Sequence, residues 1–270
     1  MNGNHAQTAE AINVASALEQ YAHEYRLNVG SSHFLRSRGI VMNYLLEHLL
    51  DDSSVLDVNC GTGIDAVLLA THGHSVHGID ISSAMIQFAR ENITKAGAAE
   101  LATVEVGDYR KLGVPPMTHG AVLSNFGGIN FCKDLTEFFA SVAGTLSPGG
   151  LLVVNSVSHF SLSEFLIFLS KGKIGKALRR PFGGKARIGG RDVGIYYHTK
   201  NAFIKTGKES GFTLEDIFGL CVFAPPLWAE DFYTNHGMLA KFLERMDDFA
   251  RHMPLLRTSG DFTVYVFRKA

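Results

Sequence analysis

The chain has 270 residues, enough for one large domain or a domain with a small cap, and a fold of this size buries roughly 75% of its unfolded surface. It is 46% apolar and 19% charged with a formal net charge of -1, so the molecule as a whole has no attraction for nucleic acid or an anionic membrane, and any such partner needs a local patch. Its three cysteines, Cys60, Cys132 and Cys221, are odd in number and form no close pair, which argues against a disulfide framework and a thiolate metal site.

From the N-terminus, "MNGNHAQTAE" is polar with no apolar signal core, and runs such as "FLIFL" fall far short of the ~20 residues of a spanning helix, so a cytoplasmic protein without membrane insertion is expected. Residues 10 to 50 carry helical spacing: Ala15, Leu18, Tyr21, Ala22 and Tyr25 form one stripe, and Ile40, Tyr44, Leu45 and His48 or Leu49 a second. Two N-terminal helices are predicted. From Ser53, short apolar runs alternate with helical segments: "SVLDV", "GIDAVLLATHG", "SVHGID", "SSAMIQFARENITKAG", "ATVEVGD", "GAVLSN", "LTEFFASVAGTLSPGG" and "LLVVNSV". This rhythm predicts a parallel sheet with crossover helices, several of them closed by glycine.

After residue 158 the pattern changes. "SLSEFLIFLSKGKIGKALRR" reads as a helix with a basic tail, "PFGGKARIGGRD" as a loop or hairpin, and "VGIYYHT" as a strand. Then come a helix ("NAFIKTGKESG"), a long strand ("FTLEDIFGLCVF"), a helix-rich stretch ("WAEDFYTNHGMLAKFLERMDDFARHM") and a last strand ("DFTVYVFRK"). The last two strands are expected to lie antiparallel at one sheet edge. The expected division is a helical lid over 1–50, an α/β core over 51–158, and cap insertions with the final strands over 159–270.

The segment "VLDVNCGTGID" places glycines after the first strand and before a helix, a geometry that phosphorylated dinucleotides and phosphate-free cofactors both use. Gly61, Gly63 and Ala66 satisfy the dinucleotide pattern G-x-G-x-x-G/A, a short and weakly specific match. Charge discriminates better. A pyrophosphate would sit beside Asp65 and close to Asp57, where repulsion opposes the helix dipole, whereas S-adenosylmethionine (SAM) brings an ammonium and a sulfonium. Asp80, ending the second strand, can accept both ribose hydroxyls, as it would in an NAD enzyme. Asp108 ends the third strand, where with Tyr109 it can meet the adenine amino group and cover the ring.

Taken in order, "VLDVNCGTG", "GIDISSAMI", "GDYRKL", "VLSNFGGIN" and "LSPGGLLVV" resemble the class I SAM-dependent methyltransferases, closest to bacterial small-molecule enzymes. The resemblance spans about Val55 to Val157. Asn59 stands where the family has its first glycine; Asn tolerates a left-handed backbone better than most residues. The resemblance implies a Rossmann-like, doubly wound seven-stranded α/β sheet with an antiparallel edge, N-terminal helices and a C-terminal cap. It also implies SAM as cofactor, S-adenosylhomocysteine as product, and methyl transfer to oxygen or nitrogen of a small or medium organic molecule. Cofactor contacts are expected from Asn59, Cys60, Gly61 and Gly63, from Asp80 and Asp108, and from Ile81, Met85 and Tyr109 around the adenine, with Met85 equally readable as core. Asp57 either organises the loop or touches the ligand. Ser124, Asn125 and Phe126 in "SNFGGIN" lie at the lip where cofactor and acceptor meet.

Tyr21, Tyr25, Arg36 and Arg38 are candidates for a lid whose arginine pairs with the cofactor carboxylate. Methyl transfer is an in-line displacement from sulfur, so alignment supplies most of the catalysis and no invariant base is required. His119, His159, His198 and His236 fall near loops, and His159, just past the fifth strand, is the preferred catalytic candidate. Tyr197 and Trp228 either shape the acceptor pocket or belong to the core. Lys171, Lys173, Lys176, Arg179, Arg180, Lys185, Arg187 and Arg191 form a basic run without an acid, suited to an anionic acceptor or a carrier protein, and less to nucleic acid, for which no reading motif is present. No His/Asp/Glu spacing argues for a metal, and a homo-oligomer stays open. A SAM-binding enzyme that does not methylate, a SAM sensor and an NAD-dependent dehydrogenase are the alternatives.

Overall fold

The computed structural model describes residues 2–50, 53–111, 118–182 and 184–270. Asp51 and Asp52, where the expected core begins, lie outside the described residues, as do Leu112 of "GDYRKL" and Gly183 of the basic run. Seven strands form one sheet: β1 (Val55–Val58), β2 (Val76–Asp80), β3 (Ala102–Val106), β4 (His119–Ser124), β5 (Leu146–Val157), β8 (Phe212–Leu220) and β9 (Phe262–Lys269). Their order is β3-β2-β1-β4-β5-β9-β8. β1 to β5 run parallel, and β9 is inserted antiparallel between β5 and β8.

The central strands read as nearly unbroken apolar runs because helices cover both faces. One face packs Val55, Ala121, Leu123, Val153 and Val264 against α2 (Ser32–His48) and α3 (Ile64–Thr71). The other packs Leu56, Val122, Leu152 and Val154 against α5 (Leu135–Thr145), whose Phe138 and Phe139 are fully buried, and α8 (Lys200–Glu209). α4 (Ser83–Lys95) crosses between β2 and β3, with the Ser82 hydroxyl accepting from Met85 N–H as its N-cap. β2 lies on one side of β1 and β4 on the other, so the loops after β1 and β4 diverge and leave a crevice at the carboxyl ends of the strands.

Three additions enclose that crevice. α1 (Asn2–Asn28) buries Val14 and Ala17 against Val193 of β7 (Arg191–Ile195), which forms a hairpin with β6 (Gly184–Ile188). The hairpin is joined by Gly189 and Gly190, both left-handed, as a two-residue turn of this twist requires. The buried stripe of α1 is therefore Val14, Ala17 and Ala22. Glu19 of α1 accepts hydrogen bonds from the Ser83 and Ala84 amides and so fastens α1 to the N-terminus of α4. The basic-tailed helix is two helices, α6 (Leu162–Ser170) and α7 (Ile174–Ala177), broken at the left-handed Gly172. The helix-rich stretch is α9 (Glu230–Asn235) and α10 (Gly237–Ala250).

A buried ionic cluster ties α6 and α7 to the sheet. Arg180 donates to Glu164 at 2.8 and 3.1 Å, to Asp261 Oδ1 at 2.5 Å, and to the carbonyls of Ser158 and Asp261. All three side chains are almost entirely enclosed. Burial opposes ionisation of Glu164, but hydrogen bonds from Arg180 and Arg179 outweigh it and hold its carboxyl down at about 2. Removing one member leaves buried charge without a partner, so Arg180→Leu should lower the unfolding free energy by about 3–5 kcal/mol in urea denaturation. A loss below about 1 kcal/mol would show that these contacts do not anchor the α6–α7 segment.

Candidate functional site

At the carboxyl ends of β1 to β5 lies a cavity of about 560 Å³. The core contributes Asn59, Gly61, Asp80, Ile81 and Met85 to its wall, then Gly107, Asp108, Tyr109 and Arg110, then Asn125, Phe126, Gly127 and Gly128. α1 contributes Glu10, Val14, Leu18, Tyr21, Glu24 and Tyr25. The far wall carries Arg179, Arg180, Tyr197, Leu227, Trp228 and Phe262.

The loop after β1 turns through three left-handed residues, Asn59 (φ 63°), Gly61 (φ 54°) and Gly63 (φ 72°). Gly61 faces the cavity and donates its N–H to Asp80 Oδ2 at 2.9 Å. Gly63 has another role: a Cβ there would lie 2.8 Å from the Ala89 Cβ, so glycine lets α3 approach α4. Cys60 is buried under the loop, and its thiol is pushed well up by burial and then by Asp57, Asp80 and Asp65. It is a packing residue, outside the cavity wall.

Beneath the loop, carboxylates outnumber cations. Asp57 is buried with both carboxylate oxygens unpartnered among the described residues. Burial, then the neighbouring Asp65, raises its carboxyl well above the ordinary range, and Arg38 offsets this only in part. Arg38, from α2, is buried and forms its ion pair with Asp65, while its guanidinium lies 4.6 Å from the centre of the Phe126 ring. The lid arginine thus neutralises an acid of the core and is not directed at a ligand carboxylate. Arg36 is turned away altogether and pairs with Asp248 of α10 at 2.6 Å. Tyr25 does line the cavity, and burial pushes its hydroxyl up to about 12 despite the nearby Arg38.

Asp80 accepts from the Ser82 amide on Oδ1 and from the Gly61 amide on Oδ2, both at 2.9 Å, and still faces the cavity. Its carboxyl is pushed up to about 6 by burial, against those amides and with help from Glu19. Asp108 also faces the cavity, but Arg110 grips both its oxygens, at 2.6 to 3.0 Å. Tyr109 packs edge-on against Phe138 with one side open to the cavity. Ser124 is buried outside the wall, 3.4 Å from the Asn59 amide. Asn125 donates to Asp65 Oδ2 at 3.1 Å and accepts from Asn155 at 2.8 Å. Phe126 adopts φ 50°, uncommon for a bulky residue, and is held there between Phe34 and Phe262.

None of the described histidines lines the cavity. His159, the preferred catalytic candidate, lies outside the cavity wall, with its Nδ1 2.9 Å from the Tyr197 carbonyl. His198 is held by the Cys132 carbonyl, and His119 sits at the opposite end of β4, bonded to Ser54. Trp228 and Tyr197 do line the cavity. The sequence reading missed Glu10, Glu24 and Asp261 in the wall and the Glu164–Arg180–Asp261 cluster behind it. Glu164 carried a signal, since a lone acid directly before the apolar run "FLIFL" needs a partner once buried. Among the described residues no group of His, Cys, Asp and Glu could hold a metal ion.

The family described as a methyltransferase domain matches residues 55–150. A protein-L-isoaspartate O-methyltransferase from Thermococcus onnurineus (strain NA1) is 30% identical over 144 residues, 53% of this chain and 62% of that protein. The chain spans about half the length of the curated relatives it matches. The solved geranyl diphosphate C-methyltransferase from Streptomyces coelicolor A3(2) aligns with a TM-score of 0.59 at 13% identity, covering 88% of this chain and 81% of that one. The [4+2]-cyclase SpnF aligns with a TM-score of 0.57 at 17% identity over 86% and 80% of the two chains. At such identities these structures establish the shared fold. Sheet order, loop geometry and the family match agree over this region: residues 55–150 match the methyltransferase-domain family and sit on the fold these solved structures share.

Proposed function

We propose that this protein transfers the methyl group of SAM to an oxygen or nitrogen of a small or medium organic acceptor. The observation that carries the reading is the excess of buried carboxylates at the crevice: Asp57, Asp65 and Asp80 are answered by one buried cation, Arg38. Such a site suits a ligand that brings positive charge. Bound SAM would supply a methyl group activated by its sulfonium.

The residues present fit that group. Asp57 lies under the loop, outside the cavity wall, with no hydrogen-bond partner among the described residues, and acts on a ligand through its field; Gly128 is packed so closely on Asn59 that a side chain there would collide with it. In this reading the Asn59 to Gly63 loop receives the methionine end. The two amides on Asp80 fix its orientation and leave lone pairs for the ribose hydroxyls. Arg110 sets the Asp108 carboxylate at the adenine edge, where Ile81, Met85 and Tyr109 supply apolar surface. Across the cavity, Leu227, Trp228 and Phe262 offer an apolar acceptor surface, and Tyr21 and Tyr25 close it from α1. Tyr25, held protonated by burial, acts there as a hydrogen-bond donor.

A second reading rests on the same wall. With no described histidine facing the cavity, the site could bind SAM and align an apolar substrate without moving the methyl group. Mass analysis of S-adenosylhomocysteine released during turnover separates the two: stoichiometric release supports transfer, and product without it supports the second reading.

Asp80→Ala should weaken SAM binding by about tenfold to a hundredfold, the range for hydrogen bonds to a charged group. Affinity within threefold of wild type in calorimetry would remove Asp80 from the ribose. The raised carboxyl of Asp80 adds a pH dependence. Hydroxyls donate to the ionised form, so SAM affinity should fall as pH drops from 7 to 5, with a proton released on binding near pH 6. The ligand-free fold responds in the opposite sense, because a raised carboxyl stabilises it at low pH and that contribution is lost as pH rises through about 6. Affinity that stays constant between pH 5 and 7 would contradict the assignment.

A further inference from the structure

We propose that the α6–α7 segment, with the hairpin that follows it in sequence, docks on the anionic surface of a lipid membrane. The inference rests on the placement of unpaired cations among exposed apolar side chains, and vesicle binding tests it independently of any methyl transfer. Between residues 165 and 191 the sequence has eight lysines and arginines and no acid. Arg179 and Arg180 are paired with Glu164. Lys171, Lys173, Lys176, Lys185, Arg187 and Arg191 are exposed and form no ion pair among the described residues. They fall together in sequence, between residues 171 and 191, on a molecule whose net charge is -1, so the positive charge is a feature of this segment and not of the whole chain.

Apolar side chains stand exposed among these cations. Phe182 is 84% accessible, Ile174 61% and Leu166 52%, with Leu169 and Leu178 also on the surface. α6 and α7 are joined by a turn at Gly172, and residues 169 to 176 are exposed without interruption. A bilayer interface suits both features: acyl chains receive the apolar side chains while anionic headgroups meet the lysines. Another exposed apolar stretch, Met238, Leu239, Phe242 and Phe249 on α10, carries Lys241 and Arg245 together with Glu244 and Asp248 and lacks this charge bias. No helix of the described residues is long and apolar enough to cross a membrane, so the contact proposed is at the interface.

The location has a consequence for the site. Arg179 and Arg180, at the end of the segment, are part of the cavity wall, and the half-exposed Trp228 beside them stacks on Phe168 of α6. A docked tip would bring the acceptor side of the cavity to the headgroup layer, where a lipid-soluble acceptor is concentrated. This last step rests on the methyltransferase reading; the docking does not.

The test is co-sedimentation of the full chain with vesicles of phosphatidylcholine alone and of phosphatidylcholine with phosphatidylglycerol, at low and at 0.5 M salt. Binding is expected to the anionic vesicles and to fall sharply with salt. Lys173→Ala should weaken it roughly fivefold, and the triple replacement of Lys171, Lys173 and Lys176 by alanine about a hundredfold. Phe182→Ser and Ile174→Ser should also weaken it, while SAM binding measured on the same variants stays at the wild-type value and shows that each folds. Equal recovery with and without anionic vesicles would overturn the proposal. So would salt-sensitive binding to polyglutamate without binding to vesicles, which would assign the patch to an acidic macromolecule.

Discussion

The structure depends on an imbalance of charge beneath one loop. Three carboxylates, Asp57, Asp65 and Asp80, converge where β1, β2 and α3 meet, and one buried guanidinium, Arg38, is set against them. Two like charges about 6 Å apart repel by about 3 kcal/mol at an effective dielectric of about 20. A helix N-terminus returns about 0.3–1 kcal/mol to an anion and rarely more than about 2. The carboxylates therefore decide the sign of the ligand, and a pyrophosphate is disfavoured where glycine geometry alone would admit it. The same imbalance raises the Asp57 carboxyl well above the ordinary range, by burial first and then by Asp65, with Arg38 offsetting only part of it.

The lid and the cap are organised around this centre. α2 delivers Arg38 to Asp65, and the same guanidinium lies over Phe126, whose left-handed backbone places its ring between Phe34 and Phe262. α1 is fastened by Glu19 to the start of α4, three residues after Asp80, so the position of α1 and the Asp80 carboxylate of the cavity wall are tied together. On the opposite side, Arg180 joins α6, the end of β5 and the start of β9 through Glu164, Ser158 and Asp261. The two enclosing elements are thus held by buried charge at both ends of one cavity. Its middle is lined by apolar and aromatic side chains, a division that suits a cofactor fixed by polar contacts and an acceptor chosen by shape.

Much of this was legible in the letters. Strand positions followed from short apolar runs between glycines, and the carboxylates at the ends of β2 and β3 stand at the cavity because a strand end and its loop are local features. What was not legible depends on the direction of approach of distant segments. Arg38 was expected to reach for a ligand, and only the crossing of α2 over the loop turns it onto Asp65. Asp108 was expected at the adenine, and the letters gave no sign that the tight turn into Tyr109 brings Arg110 back onto it. His159 follows β5 as anticipated, yet its ring is captured by a carbonyl of the segment after the hairpin, 38 residues away. Gly63 was assigned to the ligand, whereas its missing Cβ is required by Ala89 of the neighbouring helix. A motif marks the neighbourhood of a site, and partners from remote elements decide which of its residues face inward.

The central claim is electrostatic selection of a cationic adenosyl ligand, and titration calorimetry of the purified chain with SAM, S-adenosylhomocysteine and NAD tests it most directly. Saturable binding of the first two below millimolar concentration, with no heat from NAD at the same concentrations, is the predicted result. NAD binding in the crevice with no response to either adenosyl ligand would contradict it.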